Sequence, residues 1–298
     1  MSNLARVSTS KANHQGSDDT EFVLTGADID TIESILRQES GVRLGVSRQN
    51  MVYSRLIKRL RSLGLESFKE YCKLLKDRRN VDERRHMIDA LTTNHTRFFR
   101  ESHHFDHMHA HSLPPLLEAA KKGKRVRIWC AGCSSGEEAY CLAITILSLM
   151  PNASSFDIKI LATDINTTIL EKAKNATYPA RAVTDIPPEV KSRWFSSVSN
   201  GIEPSYRVKD EVGKLISFRN LNLLSDWPMA GPFQIIFCRN VTIYFDDEVK
   251  SKLWKRFAGL MPQQGTLYIG HSEHVSGPAE AVFKAIGTTT YERKSGAC

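Results

Sequence analysis

Apolar residues recur at helical spacing along the first third of the chain and in short unbroken runs thereafter, the change coming near residue 100. Residues 1–20 are polar and show neither period, which predicts a disordered tail. From Thr25, a residue suited to cap a helix, Ile29, Ile32, Ile35 and Leu36 form one stripe, and Gly41 is placed to stop it. A second helix is predicted over 48–63. Its face of Val52, Leu56, Leu60 and Leu63 lies opposite one carrying Arg48, Arg55, Lys58 and Arg59. Phe68, Tyr71, Cys72 and Leu75 mark a third helix, and Met87, Ile88 and Leu91 a fourth over 81–91. With no convincing strand among them, residues 21–92 read as a small all-α domain.

The remainder, 93–298, alternates strands with helices. Strands are predicted at 125–130 (RVRIWC), 156–165, 233–238 and 266–270, with helices over 137–149 and through Lys174. A closing hairpin at 282–293 turns at Gly287. That alternation predicts an α/β fold with a doubly wound, Rossmann-like parallel sheet. Between 179 and 218 it breaks into prolines, a Ser/Asn/Gly stretch and short β-like pieces, including 206–208 and 215–218. This region is expected to be a small inserted β-subdomain.

Composition narrows the class. Over 298 residues, 41% are hydrophobic and 25% charged, ordinary for a globular chain. No run of 18 apolar residues can span a bilayer, and residues 1–19 lack the apolar core of a secretory signal. The six cysteines then read as reduced thiols of a cytoplasmic protein. The net charge of +8 is concentrated: residues 42–79 hold eleven Lys/Arg against three acids, leaving the rest neutral in sum. A basic surface so confined predicts docking to something acidic through Arg48, Arg55, Lys58 and Arg59.

Three features fall where an open α/β sheet places its ligands, at the carboxyl ends of strands. They are the small-residue loop 130–136 (CAGCSSG), Asp164, and Cys238-Arg239-Asn240. The loop lets backbone approach a ligand, although it is not GxGxxG. An acid at 164 can take both hydroxyls of a ribose, or cap the helix that begins near Thr167. Together they favour an adenosine-containing cofactor. Cys130-x-x-Cys133 lies inside that loop and has no second such pair, so it is read as loop rather than as a metal or redox site. His103, His107 and His111 are read as a solvated helix face, and His271 with Glu273 as structural.

Six ordered motifs carry a resemblance: TNHTRFFRE (93–101) with His103-His104-Phe105, RIWCAGCSSGEEAY (127–140), ATDI (162–165), LNLL (221–224), CRNVTIYF (238–245) and GHSE (270–273). By these the chain resembles the CheR family of chemotaxis-receptor glutamate O-methyltransferases, from about Phe22 to Lys294. The resemblance implies transfer of a methyl group from S-adenosylmethionine, leaving S-adenosylhomocysteine, to glutamates on the receptors' cytoplasmic helices. It implies that Asn94, Thr96 and Arg100 close over the cofactor and that Glu138 takes its ammonium, with Glu137 as the alternative one place away. Asp164 would take the ribose, Asn222 and Leu223 would lie along the adenine, and Arg239, Asn240 and Tyr244 would stand near the methionine end and the acceptor. Arg100 and Tyr244 are the candidate catalytic residues. The family's receptor-peptide tether maps to about 196–218, without the glycine-rich turn associated with peptide binding.

The chemistry is self-consistent. A glutamate carboxylate, pKa about 4.3, is already a nucleophile at neutral pH, so neither a general base nor a metal is required. Either Arg100 or Arg239 is suited to orienting it. Two other readings compete: a nucleic-acid methyltransferase using the basic domain, and a cofactor-binding scaffold without turnover. The basic face carries no aromatic platform for stacking bases, and the expected protein is a monomer that engages receptors, not nucleic acid or membrane.

Overall fold

Thr25 opens the first helix, α1 (Gly26–Ser40), through a reciprocal capping box. Its hydroxyl accepts from the Asp28 N–H, and the Asp28 carboxylate accepts from the Thr25 N–H. Gly41 ends the helix at φ 73°, a left-handed conformation in which its N–H reaches the Arg37 carbonyl at 2.8 Å. The computed structural model describes residues 22–45, 48–199 and 203–295. The tail expected over 1–20 lies outside the described residues.

Three further helices, α2 (Arg48–Ser62), α3 (Phe68–Lys76) and α4 (Val81–Leu91), complete a bundle with α1. Ile32, Leu36, Val52, Leu56, Leu60, Phe68, Tyr71, Leu75, Met87 and Leu91 make its core. Leu63, expected on that apolar face, is exposed: α2 stops at Ser62, and the chain turns away before Leu63 can reach the bundle.

The segment after Arg100 winds as α5 (His103–His107), a wider turn over Met108–Ser112 and α6 (Leu113–Lys121). The wide turn, in which the Leu113 N–H bonds the Met108 carbonyl, breaks the 3.6-residue period. The expected solvated histidine face is therefore only partly realised. His103 and His111 are exposed, but His107 is half-buried with its Nδ1 2.9 Å from the Tyr268 hydroxyl.

The sheet is built from β1 (Val126–Ala131), β2 (Ile158–Asp164), β6 (Ile216–Asn220), β7 (Ile235–Cys238), β8 (Thr266–Ile269), β9 (Phe283–Gly287) and β10 (Thr290–Arg293). Its order is β6-β2-β1-β7-β8-β10-β9, parallel from β6 to β8 and closed by the antiparallel hairpin β9–β10. Helices α7 (Glu137–Leu149), α8 (Thr167–Asn175) and α11 (Asp247–Leu260) connect the strands. Apolar cores on both faces account for the apolar-rich runs of β1, β7 and β8.

The insertion holds β3 (Thr177–Pro179), α9 (Pro188–Trp194), β4 (Phe195–Ser199), β5 (Pro204–Val208) and α10 (Asp210–Gly213), with a small antiparallel sheet ordered β3-β5-β4. Of residues 215–218, assigned to it from sequence, 216–218 belong instead to β6 of the large sheet, paired with β2 from Ile160↔Ile216 to Asp164↔Asn220. The stretch with the candidate tether is thus divided between the two sheets, and residues 200–202 within it lie outside the described residues. Among the described residues no helix is long and apolar enough to cross a membrane.

Candidate active site

A cavity of about 330 Å³ lies on the seam between the helical bundle and the carboxyl ends of β1, β2 and β7. The bundle contributes Ser40, Val42–Gly45 and Met51, and the connecting segment contributes Leu91–Thr96 and Arg100. The sheet contributes Gly132–Ser134, Glu138, Asp164, Leu221–Leu223 and most of 239–245. The seam is stitched by a backbone bond, Arg43 N–H to the Tyr244 carbonyl at 3.0 Å, and by a side-chain one, Asn222 Nδ2 to the Glu39 carbonyl at 2.6 Å.

Strain gathers around this cavity. Phe99, Glu101, Ser134 and Asn240 take φ of 50°, 55°, 49° and 58°, which side chains with a Cβ rarely adopt. Such conformations persist only where the surroundings over-determine them, which is common at functional sites.

The loop after β1 sits close to its neighbours because it has glycines. A Cβ on Gly132 would stand 2.3 Å from Val241 Cγ2, and one on Gly136 would stand 2.9 Å from the Ala173 Cβ. Asp164, at the end of β2, accepts from the Ser134 N–H at 2.8 Å and the Asn166 N–H at 2.9 Å. A carboxylate offers about four acceptor sites, so capacity is left on the cavity side. Burial pushes its carboxyl up, and the two N–H bonds oppose that shift. The helix-cap alternative goes to a different residue: Asn166 caps α8, its side chain accepting from the Ile169 N–H at 2.9 Å.

Of the two adjacent acids, only Glu138 lines the cavity. Glu137 is turned to Ser135, whose hydroxyl donates to it at 2.6 Å. Glu138 accepts from Arg239 Nη1 at 3.0 Å and from the Cys130 thiol at 3.2 Å. Burial raises its carboxyl, and the Arg239 guanidinium counters the shift. Cys130 and Cys133 are buried too, and burial holds both thiols well above their ordinary value, in the protonated form.

The two arginines weighed for holding a carboxylate are not equivalent. The Arg239 side chain is 1% exposed and clamped between Glu138 and Glu101, while its Nη2 donates to the Arg100 carbonyl. Arg100 faces the cavity with its side chain 28% exposed; it holds the His95 carbonyl at 3.2 Å and approaches Glu101 at 3.8 Å. Asn94, Thr96, Asn222, Leu223, Asn240 and Tyr244 all border the same cavity. Asn94 also accepts from the Ser134 hydroxyl through its carbonyl, and the Asn222 carboxamide is engaged by Glu39 and Leu224.

Several participants had no distinct role in the sequence reading. Glu101 takes an ion pair from Arg239 at 3.3 Å and hydrogen bonds from His271 and Asn240. Burial would raise its carboxyl, but Arg239 and these bonds hold it down. His104 is fully buried, with Nε2 near the Thr288 carbonyl and the Thr289 hydroxyl; burial first and Arg239 second push it down to about 3. Glu101, His103 and His104 bring ligand atoms within 4.8 Å of one another. The adjoining Arg239 guanidinium makes that spot unfavourable for a cation. Only the motifs TNHTRFFRE with His103-His104-Phe105, and GHSE, pointed to these residues.

The basic helix face expected to dock an acidic partner is partly engaged by other groups of the protein. Arg48 pairs with Glu33 and Asp30. Arg55 donates to the carbonyls of Ala90, Leu91 and Thr92 at the end of α4. Arg59 forks onto Glu83, which also accepts from the Tyr71 hydroxyl at 2.8 Å. Lys58 alone of the four points into solvent with no hydrogen-bond or ionic partner among the described residues.

Two family models match the chain: a CheR methyltransferase all-alpha domain over residues 27–92, and a CheR methyltransferase SAM-binding domain over 94–292. A probable chemotaxis protein methyltransferase of Rhizobium etli is 49% identical over 257 residues, covering 86% of this chain and 96% of its own length. The chemotaxis protein methyltransferase of Escherichia coli is 37% identical, covering 91% of this chain and 92% of its own. Chemotaxis protein methyltransferase 2 of Pseudomonas aeruginosa is 38% identical, covering 91% and 94%.

Proposed function

Because the chain belongs to the CheR methyltransferase family, we propose that it methylates glutamate side chains of chemotaxis receptors, with the seam cavity as the active site. One observation carries the residue-level reading: a single cavity gathers two carboxylates, the half-buried Glu138 and the buried Asp164, with the incompletely engaged Arg100 guanidinium. S-adenosylmethionine, when bound, supplies a methyl group already activated on a sulfonium.

The chain's own part is to bind and to orient. Glu138, fixed by Arg239 at the first turn of α7, suits an ammonium, and the remaining acceptor capacity of Asp164 suits a ribose. Leu221–Leu223 and Ile165 give an apolar wall for the adenine, with Asn222 bridging to the bundle. Asn94 and Thr96 line the bundle-side entrance, and Asn240 and Tyr244 the opposite lip. Arg100 is assigned to the acceptor carboxylate, because Arg239 is consumed by its two acids. Its partial engagement by Glu101 and His95 keeps its grip on the nucleophile moderate. Holding the oxygen in line and excluding water contributes on the order of 7–11 kcal/mol.

Receptor docking is assigned to Lys58 and the exposed edge of Arg48, since Arg55 and Arg59 are engaged within the bundle. The same internal pairing shrinks the basic footprint a nucleic acid would use, which favours the protein acceptor. We read the protein as a cytoplasmic monomer.

The test is incubation with methyl-labelled S-adenosylmethionine and receptor cytoplasmic domains. The label should be lost in mild alkali, as esters are; alkali-stable label on nucleic acid or lysine would overturn the reading. Calorimetry with S-adenosylhomocysteine should show Asp164→Ala weaker by about 1.5–3 kcal/mol. Unchanged affinity would remove the ribose assignment.

A further inference from the structure

Glu273 follows β8 in the GHSE motif, is 6% exposed, and forms no ion pair among the described residues. Its carboxylate accepts from six donors. Oε2 takes the N–H groups of Gly270 at 2.6 Å and Asn240 at 2.8 Å. Oε1 takes the N–H groups of Val241 at 3.1 Å, Thr242 at 2.7 Å and Ile243 at 3.2 Å, and the Thr242 hydroxyl at 2.8 Å. Four consecutive backbone N–H groups thus converge on one side chain, an arrangement that rewards an ionised acceptor. The turn they belong to holds Asn240 at φ 58° and carries Asn240, Val241, Ile243 and Tyr244 to the cavity. Ile243 is 43% exposed, so the turn also presents an apolar edge to whatever approaches the mouth.

The fit is close. A Cβ on Gly270 would lie 2.7 Å from the Asn240 nitrogen and 2.8 Å from Glu273 Oε2. Only glycine at 270 lets the turn settle onto the carboxylate.

We propose that Glu273 is a positioning residue for the methyl-transfer reaction: it fixes the 240–243 turn, and through it the acceptor-side lip of the cavity, without itself touching a reactant. The far end of the turn has backbone bonds of its own, Tyr244 N–H to the Val241 carbonyl at 3.4 Å and Phe245 N–H to the Thr242 carbonyl at 3.0 Å, but among the described residues the N–H groups of 240–243 are taken up by the carboxylate. A glutamine of the same size still accepts through one oxygen but turns an N–H₂ toward the other donors. The inference rests on the methyltransferase reading, and part of its test does not require turnover.

The experiment compares Glu273→Gln, Glu273→Asp and Gly270→Ala with the parent protein. Hydrogen exchange should accelerate at the amides of 240–243 in Glu273→Gln while those of β1 and α7 keep their parental protection. At saturating cofactor, kcat toward receptor domains should fall on the order of 100-fold, as for a misplaced reacting group. S-adenosylhomocysteine affinity should change by less than about tenfold, since the carboxylates of Asp164 and Glu138 are untouched. Glu273→Asp should recover part of kcat, because it restores the charge one methylene short. Gly270→Ala, which keeps the carboxylate but wedges the turn off it, should reproduce the split and decides the matter if Glu273→Gln does not fold. Parental kcat in a folded Glu273→Gln or Gly270→Ala overturns the proposal, as does protection lost evenly across the sheet. A parent protein that transfers no methyl to receptor domains strikes the methyltransferase reading, while the exchange result still reports on the turn.

Discussion

Two arginine–carboxylate clamps, one in each half of the molecule, are indistinguishable as sequence and unlike as structure. Arg59 grips Glu83 between α2 and α4, and Tyr71 supplies a further donor, leaving no buried polar atom of the three residues without a partner. Arg239 bridges Glu138 and Glu101 beneath the cavity, and there Glu101 Oε2, His104 Nδ1 and Arg239 Nε lack a hydrogen-bond partner. Backbone at positive φ flanks the second clamp, at Glu101 and Asn240, and not the first. A saturated clamp fastens helices. One that is under-satisfied, strained and set against a cavity keeps geometry available for chemistry.

The contrast is sharpest if both arginines are removed. Arg239→Met strands two largely enclosed carboxylates, Glu101 and Glu138, beside a buried site, so denaturant unfolding should show a loss of about 3–5 kcal/mol, with methyl transfer abolished. Arg59→Met should cost less, about 1.5–3 kcal/mol, because Glu83 keeps the Tyr71 bond, and should leave S-adenosylhomocysteine affinity unchanged. Loss of cofactor binding in Arg59→Met would erase the distinction.

Arg100, whose carbonyl the second clamp holds, should behave as an orienting group. In Arg100→Ala, kcat should fall on the order of 100-fold while cofactor affinity falls less. A deficit confined to affinity, with kcat intact at saturation, would make Arg100 a binding residue only.

His104 gives the second clamp a pH signature. Its folded value is depressed to about 3 against an ordinary 6.5. The stability it contributes is therefore complete above pH 6.5 and is lost as pH falls from there toward 3. Between pH 7 and 5.5 this amounts to about 1 kcal/mol. His104→Gln should lose less stability over that interval than the parent by that amount; equal acid sensitivity in the two proteins would place the titration elsewhere.

The smallest effect belongs to the bundle's surface. Lys58→Glu should raise the KM for receptor by the equivalent of less than about 1 kcal/mol, mostly at low salt, and spare cofactor affinity. A salt-independent KM equal to the parent's would leave Lys58 as plain solvated surface.

Local chemistry is what the sequence discloses well. The Thr25 cap, the Gly41 stop, the apolar-rich runs of β1, β7 and β8, and the hairpin around Gly287 all follow from the preferences of a few neighbouring residues. β6 escaped because an edge strand is half-exposed and looks like the short β pieces that precede it. The fate of Arg55 and Arg59 escaped for a different reason. A helical wheel tells which way a side chain points, but not that the end of α4 will be waiting there. At the site, Asp164 stands out by position, being the acid that ends a strand. Glu138 is separable from Glu137 only once the first turn of α7 is oriented, and Glu101 and Glu273 gain meaning only through donors contributed by residues more than a hundred and about thirty places away, respectively.

Gly41 answers to two readers at once. Its left-handed conformation lets α1 end where it does, and a Cβ there would come within 2.5 Å of Leu224 Cδ1, on the far side of the seam. The length of a helix in one unit and the closeness of approach of the other are therefore a single degree of freedom. Grafting this bundle onto a different sheet, or lengthening α1 by a residue, would mean redesigning the Leu224–Phe245 surface at the same time, because that is the wall against which Gly41 is cut.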